Sequence, residues 1–329
     1  MSTPSGRKLA LKLALSVLFV AFLVWFVPWA TLHSALSKLS FGFFALTVAL
    51  FLGCHSFGVL KWRMVVARAG AVLPLRRAYE CYFAGLFANV FLPSIVGGDV
   101  FRALLAGKRS GRMEAAVLGG AADRLLDISA LAVLALVGAF GIGLGRSGGE
   151  GRIIATLAAL AAVIGLSALP LLLRVPLRKW PRKVRRPLAR SLVALRRQWR
   201  SPLVAITSFC GALLIQGSLA LLNSWIGARV GIEAPLSAWL FAWSLAKVAG
   251  LAPIGFNGIG PRDWVFKILF PPLMTNVALA TADRAALALA ASLLWQSVLL
   301  AGSLSAGALW SVLKRGAPPL LSESKVAHA

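Results

Sequence analysis

Leu92-Pro93-Ser94-Ile95-Val96-Gly97-Gly98-Asp99 and Ala252-Pro253-Ile254-Gly255-Phe256-Asn257-Gly258-Ile259-Gly260-Pro261-Arg262-Asp263 are the stretches on which the fold turns. Proline removes a backbone donor and clustered glycine weakens helical preference, so each stretch breaks a helix. Both breaks sit among apolar segments. Freed backbone at membrane depth is tolerated only where protein covers it or a wet cavity receives it. Two breaks therefore predict a cavity.

The surroundings read as a membrane protein. Of 329 residues, 59% are apolar and 14% charged, against roughly 45–50% and about 25% in soluble domains, so a water-soluble globule is excluded. Uncharged runs cover Leu13 to Ala30, Leu39 to Leu60, Ile153 to Leu173, Ser201 to Ala228 and Ala285 to Leu313. Each reaches the roughly 18 to 20 residues that cross the hydrocarbon. A sixth run, Ile128 to Gly145, becomes a full span if its helix begins before Asp123, which places Asp123, Arg124 and Asp127 in or near the membrane. The first run is long and has no clear small-residue cleavage site after it, so it reads as a retained helix rather than a signal peptide.

The net charge of +25 would suggest nucleic acid in a soluble protein. Here the cations lie between spans and set orientation instead, and no nucleic-acid partner is expected. With the N-terminus inside, residues 1–12, 61–77, 106–114, 174–202 and the tail hold 25 Lys or Arg, and the outer segments hold only Lys38, Arg146, Arg152 and Arg229. This holds only if residues 78–105 and 236–270 enter the membrane and return to the same side. The expected fold is thus an all-α integral membrane protein with about six spanning helices and two re-entrant broken-helix hairpins, N-in and C-in.

Span, hairpin and span recur at about 39–142 and again at about 203–313, the first set starting outside and the second inside, which is an inverted repeat. Gly98-Asp99 followed by Asp123-Arg124 resembles Arg262-Asp263 followed by Asp283-Arg284. Residues 1–313 are read as one polytopic membrane domain and 314–329 as a short cytoplasmic tail. A basic linker, 174–202, carries eleven cations with Pro176, Pro181 and Pro187. It is expected at the cytoplasmic leaflet, where anionic lipid attracts each cation by about 1 kcal/mol.

Glycine- and proline-interrupted segments at matching places in two halves point to a transporter site near the midplane. Asp99, Arg102, Arg262 and Asp263 flank the breaks. Asp123, Arg124, Asp127 and Lys247 add charges within the membrane, where each costs about 2.5 kcal/mol or more unless paired or hydrated. Lys247 either faces the cavity or snorkels to an interface. Asn89 and Asn257 are suited to hydrogen-bond the freed backbone beside Pro93, Gly97, Gly98, Pro253, Gly258 and Gly260. Arginine holds phosphate bidentately, and helix N-termini add oriented donors, so an anionic phospholipid headgroup fits this set. Cys54, Cys81 and Cys210 stand singly and His33, His55 and His328 form no constellation, so neither metal nor cofactor is expected.

Asn89-x-x-Leu92-Pro93, Gly97-Gly98-Asp99-x-x-Arg102, Asp123-Arg124-x-x-Asp127 and Gly258-x-Gly260-x-Arg262-Asp263 resemble the lysylphosphatidylglycerol synthase transmembrane family, with a likeness over about residues 10 to 313. Asp263 stands where a glutamate is usual there, and Pro261 is atypical. The resemblance implies a multi-pass protein of a bacterial-type cytoplasmic membrane. It further implies a flippase or exporter of an anionic or aminoacylated phospholipid or a related lipid-linked headgroup. Two other functions fit the same residues. One is a membrane-embedded enzyme acting on a lipid phosphate or lipid-linked sugar with Asp99 or Asp123 as general base. The other is a non-transporting assembly partner. A homo-oligomer is compatible with the sequence.

Only 16 residues follow Leu313, so no aminoacyltransferase activity is expected. Purified protein supplied with lysyl-tRNA and phosphatidylglycerol should leave no labelled lysine in the lipid extract, and detectable transfer would overturn this expectation.

Overall fold

The computed structural model describes residues 39–92, 96–143, 182–199, 202–251, 260–275 and 278–315, with a few isolated positions besides. Within them the chain forms helices and no strand. The helices are α1 (Phe41–Ala69), α2 (Leu75–Ala88), α3 (Val96–Ser110), α4 (Met113–Gly141), α5 (Arg182–Trp199), α6 (Pro202–Arg229), α7 (Leu236–Ala249), α8 (Pro261–Leu269) and α9 (Thr281–Arg315), with a 3-10 turn at Pro271–Leu273. The expected first span, almost all of the run from Ile153 to Leu173, the tail beyond Arg315, and Pro93, Pro253, Asn257 and Gly258 lie outside the described residues.

Four helices are long and apolar enough to cross a membrane: α1, α4, Ala205–Arg229 within α6 and Thr281–Lys314 within α9. Their outward faces carry large apolar side chains such as Phe57, Leu203, Leu214 and the 70% exposed Phe140. Water would not accept such a surface, and lipid does. α4 begins well before Asp123 and so carries Asp123, Arg124 and Asp127 in its interior. α1 runs past Leu60 to Ala69, because Lys61 and Arg63 find partners inside the bundle: Lys61 pairs with carboxylates of α4, and Arg63 Nε donates to the Leu73 carbonyl at 2.7 Å.

Two four-helix sets share their local chemistry. α1 ends at Gly70 (φ 111°) and α6 is followed by Gly231 (φ 94°), left-handed positions that glycine occupies without a Cβ penalty. The same closing bonds follow: Ala71 N to Val66 O at 3.1 Å, and Ile232 N to Gly227 O at 3.0 Å. Four residues on, Pro74 and Pro235 each precede a 14-residue helix, α2 or α7. These features fall at one constant offset along the chain. Packing is reciprocal as well: α2, from the first set, lies along α9, and α7, from the second, lies along α4.

The short helices start at opposite ends of the bundle. Arg76 at the start of α2 donates to the carbonyl of Leu313, near the end of α9, at 3.3 Å. Thr275, just before α9, donates to the carbonyl of Glu233, just before α7, at 2.8 Å. α9 has 35 residues, hence a length of about 50 Å between those ends. The α2 end carries Arg68, Arg76, Arg77, Lys108, Arg109, Arg112 and Lys314, with the basic α5 seated there through the buried Leu192. At the other end lie Arg229, over the Phe43 ring, and Arg284, which reaches the Pro271 carbonyl.

Small residues let the reciprocal contacts close. A Cβ on Gly138 of α4 would lie 2.5 Å from the backbone nitrogen of Phe241 and from the carbonyl oxygen of Ser237 in α7, whereas one on Gly53 would meet nothing within 4 Å. Gly138→Ala should therefore destabilise the protein by about 1–3 kcal/mol through overpacking, while Gly53→Ala stays neutral. Thermal unfolding in detergent measures both, and equal melting of the two variants would contradict the contact.

Candidate functional site

Two apolar clusters occupy the two ends of the bundle, one around Phe51, Trp239 and Trp295, the other around Val59, Trp62 and Ala306. Polar side chains collect between them. His55, the central residue of α1, lies between Phe51 and Val59, and on α9 Ser303 lies between Trp295 and Ala306. A cavity of about 110 Å³ opens here, with His55, Ser303, Lys61, Arg102, Arg124, Lys247 and Arg262 in its wall beside Asp99 and Asp127.

The first set contributes a continuous ion chain. Lys61 Nζ of α1 lies 2.6 Å from Asp127 Oδ1 and 3.0 Å from Asp123 Oδ1, both on α4. Asp123 Oδ2 is 3.4 Å from Arg102 Nη2 of α3, which is 3.2 Å from Asp99 Oδ1. Asp99 also pairs with Arg124 of α4. Three cations and three carboxylates thus close on one another, the arrangement that buried charge requires. The Arg102 guanidinium carbon lies 4.6 Å from the Tyr82 ring centroid and 4.9 Å from that of Trp62, positions where ring quadrupoles favour a cation. Tyr82 Oη and His55 Nδ1 share a 3.2 Å hydrogen bond.

The breaks are held by side chains standing in for lost helix partners. Asn89 Oδ1, at the end of α2, accepts from Gly98 N in the first turn of α3 at 2.8 Å. Gly97 shares that turn, packed on Leu92. In the second half, Gly260 (φ 103°) precedes Pro261, and Asp263 Oδ2 accepts from Gly260 N at 3.1 Å. The Asp263 carboxylate also accepts from Ser292 Oγ at 2.5 Å and from Gln296 Nε2 at 3.4 and 3.3 Å, both on α9. Acids in first turns suit the helix dipole.

The second set's cations are far less compensated. Lys247 Nζ donates to the neutral amide of Gln216 at 2.6 Å. Arg262, only 2% exposed, has its Nε 3.8 Å from Asp263 Oδ1, and its Nε and Nη2 find no hydrogen-bond partner among the described residues. Both cations lie near the Trp243 ring, at 5.7 and 5.9 Å from its centroid. The cavity wall is Lys247's place, rather than an interface.

Asn89, Gly98, Asp99, Arg102, Arg124, Asp127, Lys247 and Arg262 meet at one cavity. Asp123 lies behind the wall, bonded to Lys61 and Arg102, and Asp263 supports Arg262 from the side. Asp283-Arg284 is no counterpart of Asp123-Arg124: Asp283 falls in the exposed first turn of α9, whereas Asp123 is buried in mid-helix. Lys61 belongs to the site and not to a loop. The sequence offered a clue in two carboxylates, Asp123 and Asp127, on one helical face with a cation required between them. Gln216, Trp243 and Ser292 are also part of the constellation, and a lone polar residue in an apolar run is its only sequence signal.

Apolar spanning helices closed around a charged interior cavity define a helical multi-pass membrane protein. The family model described as lysylphosphatidylglycerol synthase TM region matches residues 9–307, and the chain belongs to that family. No curated protein and no solved structure matches the chain.

Lys61→Met would leave Asp123 and Asp127 adjacent without their shared cation. Removing one partner of a buried pair costs about 3–5 kcal/mol, so melting in detergent should fall sharply, and adding Asp127→Asn should restore part of it. Unchanged melting of Lys61→Met would show that the ion chain does not hold α1 to α4.

Proposed function

We propose that this protein moves a phospholipid headgroup between membrane leaflets through the central cavity. The observation that carries the reading is five cations converging on a cavity at mid-depth of apolar helices, bordered by the first turns of α3 and α8. A site that served only to lock helices would satisfy its buried donors, and Arg262 Nε and Nη2 have no hydrogen-bond partner among the described residues.

The topology belonging to this proposal is the one expected from the sequence: about six spans, with α2–α3 and α7–α8 as re-entrant broken hairpins of an inverted repeat. The basic end faces the cytoplasm in a bacterial-type cytoplasmic membrane. Opposite entry of α2 and α7, the shared glycine and proline caps and the reciprocal packing support that arrangement. Residues 1–313 act as one membrane unit with 314–329 as its tail. Asp99, Arg102, Arg262 and Asp263 would position the headgroup, with Asn89 and the glycines keeping the breaks open to it. Pro93, Pro253, Asn257 and Gly258 belong to the same proposal as shapers of the breaks.

A volume of about 110 Å³ corresponds to a few waters at about 30 Å³ each. The proposed cycle is one in which the two repeats rock about the site.

Proteoliposomes containing a headgroup-accessible fluorescent phosphatidylglycerol test the proposal. Wild-type protein should expose lipid from both leaflets, and Arg262→Ala and Arg102→Ala should slow the exchange by about tenfold or more, corresponding to about 1.4 kcal/mol each. Equal rates in wild type, both variants and empty vesicles would reject translocation.

A further inference from the structure

We infer that the cavity selects a headgroup of net negative charge and rejects one made cationic by an aminoacyl ester. This rests on the translocation reading and concerns what that site accepts.

Each carboxylate near the cavity has a cation beside it: Asp99 with Arg102 and Arg124, Asp127 with Lys61, Asp123 with Lys61 and Arg102, although Asp123 Oδ1 is ion-paired without a hydrogen bond. Asp263 accepts from Gly260, Ser292 and Gln296. A lysyl ammonium entering the cavity would have to displace one of these cations to find an acid. The donors are in the opposite condition. Arg262 Nε and Nη2 are buried in the cavity wall with no hydrogen-bond partner among the described residues, and Arg102 Nε is likewise unpartnered. Lys247 has a neutral amide as its partner.

A buried donor without an acceptor is costly, so this wall is complementary to an acceptor that arrives with the ligand. Phosphate fits geometrically as well as electrostatically. Arg262 offers two donors in a planar fork, Lys247 offers a compact charge, and both line the same cavity beside the Trp243 ring. An unmodified phosphatidylglycerol leaves that phosphate charge uncompensated. A lysyl ester adds two ammonium groups to the same molecule and reverses its sign, and a phosphatidylcholine cancels it.

The test is binding, so that its failure differs from failure of transport. Detergent-purified protein is titrated calorimetrically with dihexanoyl-phosphatidylglycerol, its lysyl ester, dihexanoyl-phosphatidylcholine and inorganic phosphate. Phosphatidylglycerol should bind tighter than the lysyl ester and phosphatidylcholine by about tenfold or more, the discrimination that a charge-assisted pair supplies. Arg262→Gln and Lys247→Gln should erase the preference while Arg262→Lys retains part of it, thermal unfolding confirming that each variant is folded. The inference is overturned by equal or tighter binding of the lysyl ester, by binding of none of the lipids, or by a preference unchanged in folded Arg262→Gln. Inorganic phosphate binding as tightly as phosphatidylglycerol would reassign the site to a free anion and overturn the lipid selection. Selective binding with no exchange in proteoliposomes would sink translocation alone, and exchange without selectivity would sink this inference alone.

Discussion

The ion chain Asp127–Lys61–Asp123–Arg102–Asp99–Arg124 is the constraint around which the structure is arranged. Charges at the centre of apolar helices are expensive, and here each is brought within reach of an opposite one on a different helix. That requirement ties α1, α3 and α4 together in one register. A one-residue rotation of α4 would carry Asp123 and Asp127 off the Lys61 side together, because they sit one helical turn apart. The broken start of α3 is located by the same chain, since Asp99 in its first turn is held by Arg124 and Arg102.

The second half meets the same backbone problem with different chemistry. Where the first break uses an amide, Asn89, to receive Gly98 N, the second uses a carboxylate, Asp263, to receive Gly260 N. That carboxylate takes its hydrogen bonds from neutral donors on α9, with Arg262 Nε farther off at 3.8 Å. The consequence is an asymmetry between the two helix sets: the first is electrostatically closed on itself, and the second leaves Arg262 and Lys247 in the cavity wall. The closed half is suited to hold shape. The open half is suited to hold something else.

Much of this was legible in the sequence, and the misreadings have physical causes. The long apolar runs gave the helices now seen as α1, α4, α6 and α9, because lipid demands an unbroken stretch of a length that composition reveals. The helix interruptions ahead of Val96 and of Pro261 were readable because proline and glycine act locally, although Gly97 and Gly98 themselves fall in the first turn of α3. Lys61 was misplaced as a loop cation because a hydropathy boundary cannot distinguish a charge that leaves the membrane from one paired within it. Asp283-Arg284 resembles Asp123-Arg124 only in local spelling, whereas the features the two helix sets share are caps, Gly70 with Gly231 and Pro74 with Pro235, which are dispersed and carry no charge to draw notice. Gln216 and Ser292 acquire their roles only through contacts made across the bundle, and no spacing within one helix encodes those.

The unequal halves also bear on how a cavity of this kind could change state. An unoccupied wall with surplus positive charge is costly to seal away from water, since burial disfavours the charged form of each uncompensated cation. An anion seated on Arg262 and Lys247 removes part of that cost in the sealed conformation, where screening is weakest, and less of it in a conformation already open to water. A ligand shifts a conformational equilibrium by its difference in affinity between the two states and by no more. Occupancy by an anion would therefore favour closure and its departure would favour opening, with the paired first half serving as the rigid body against which the second half moves.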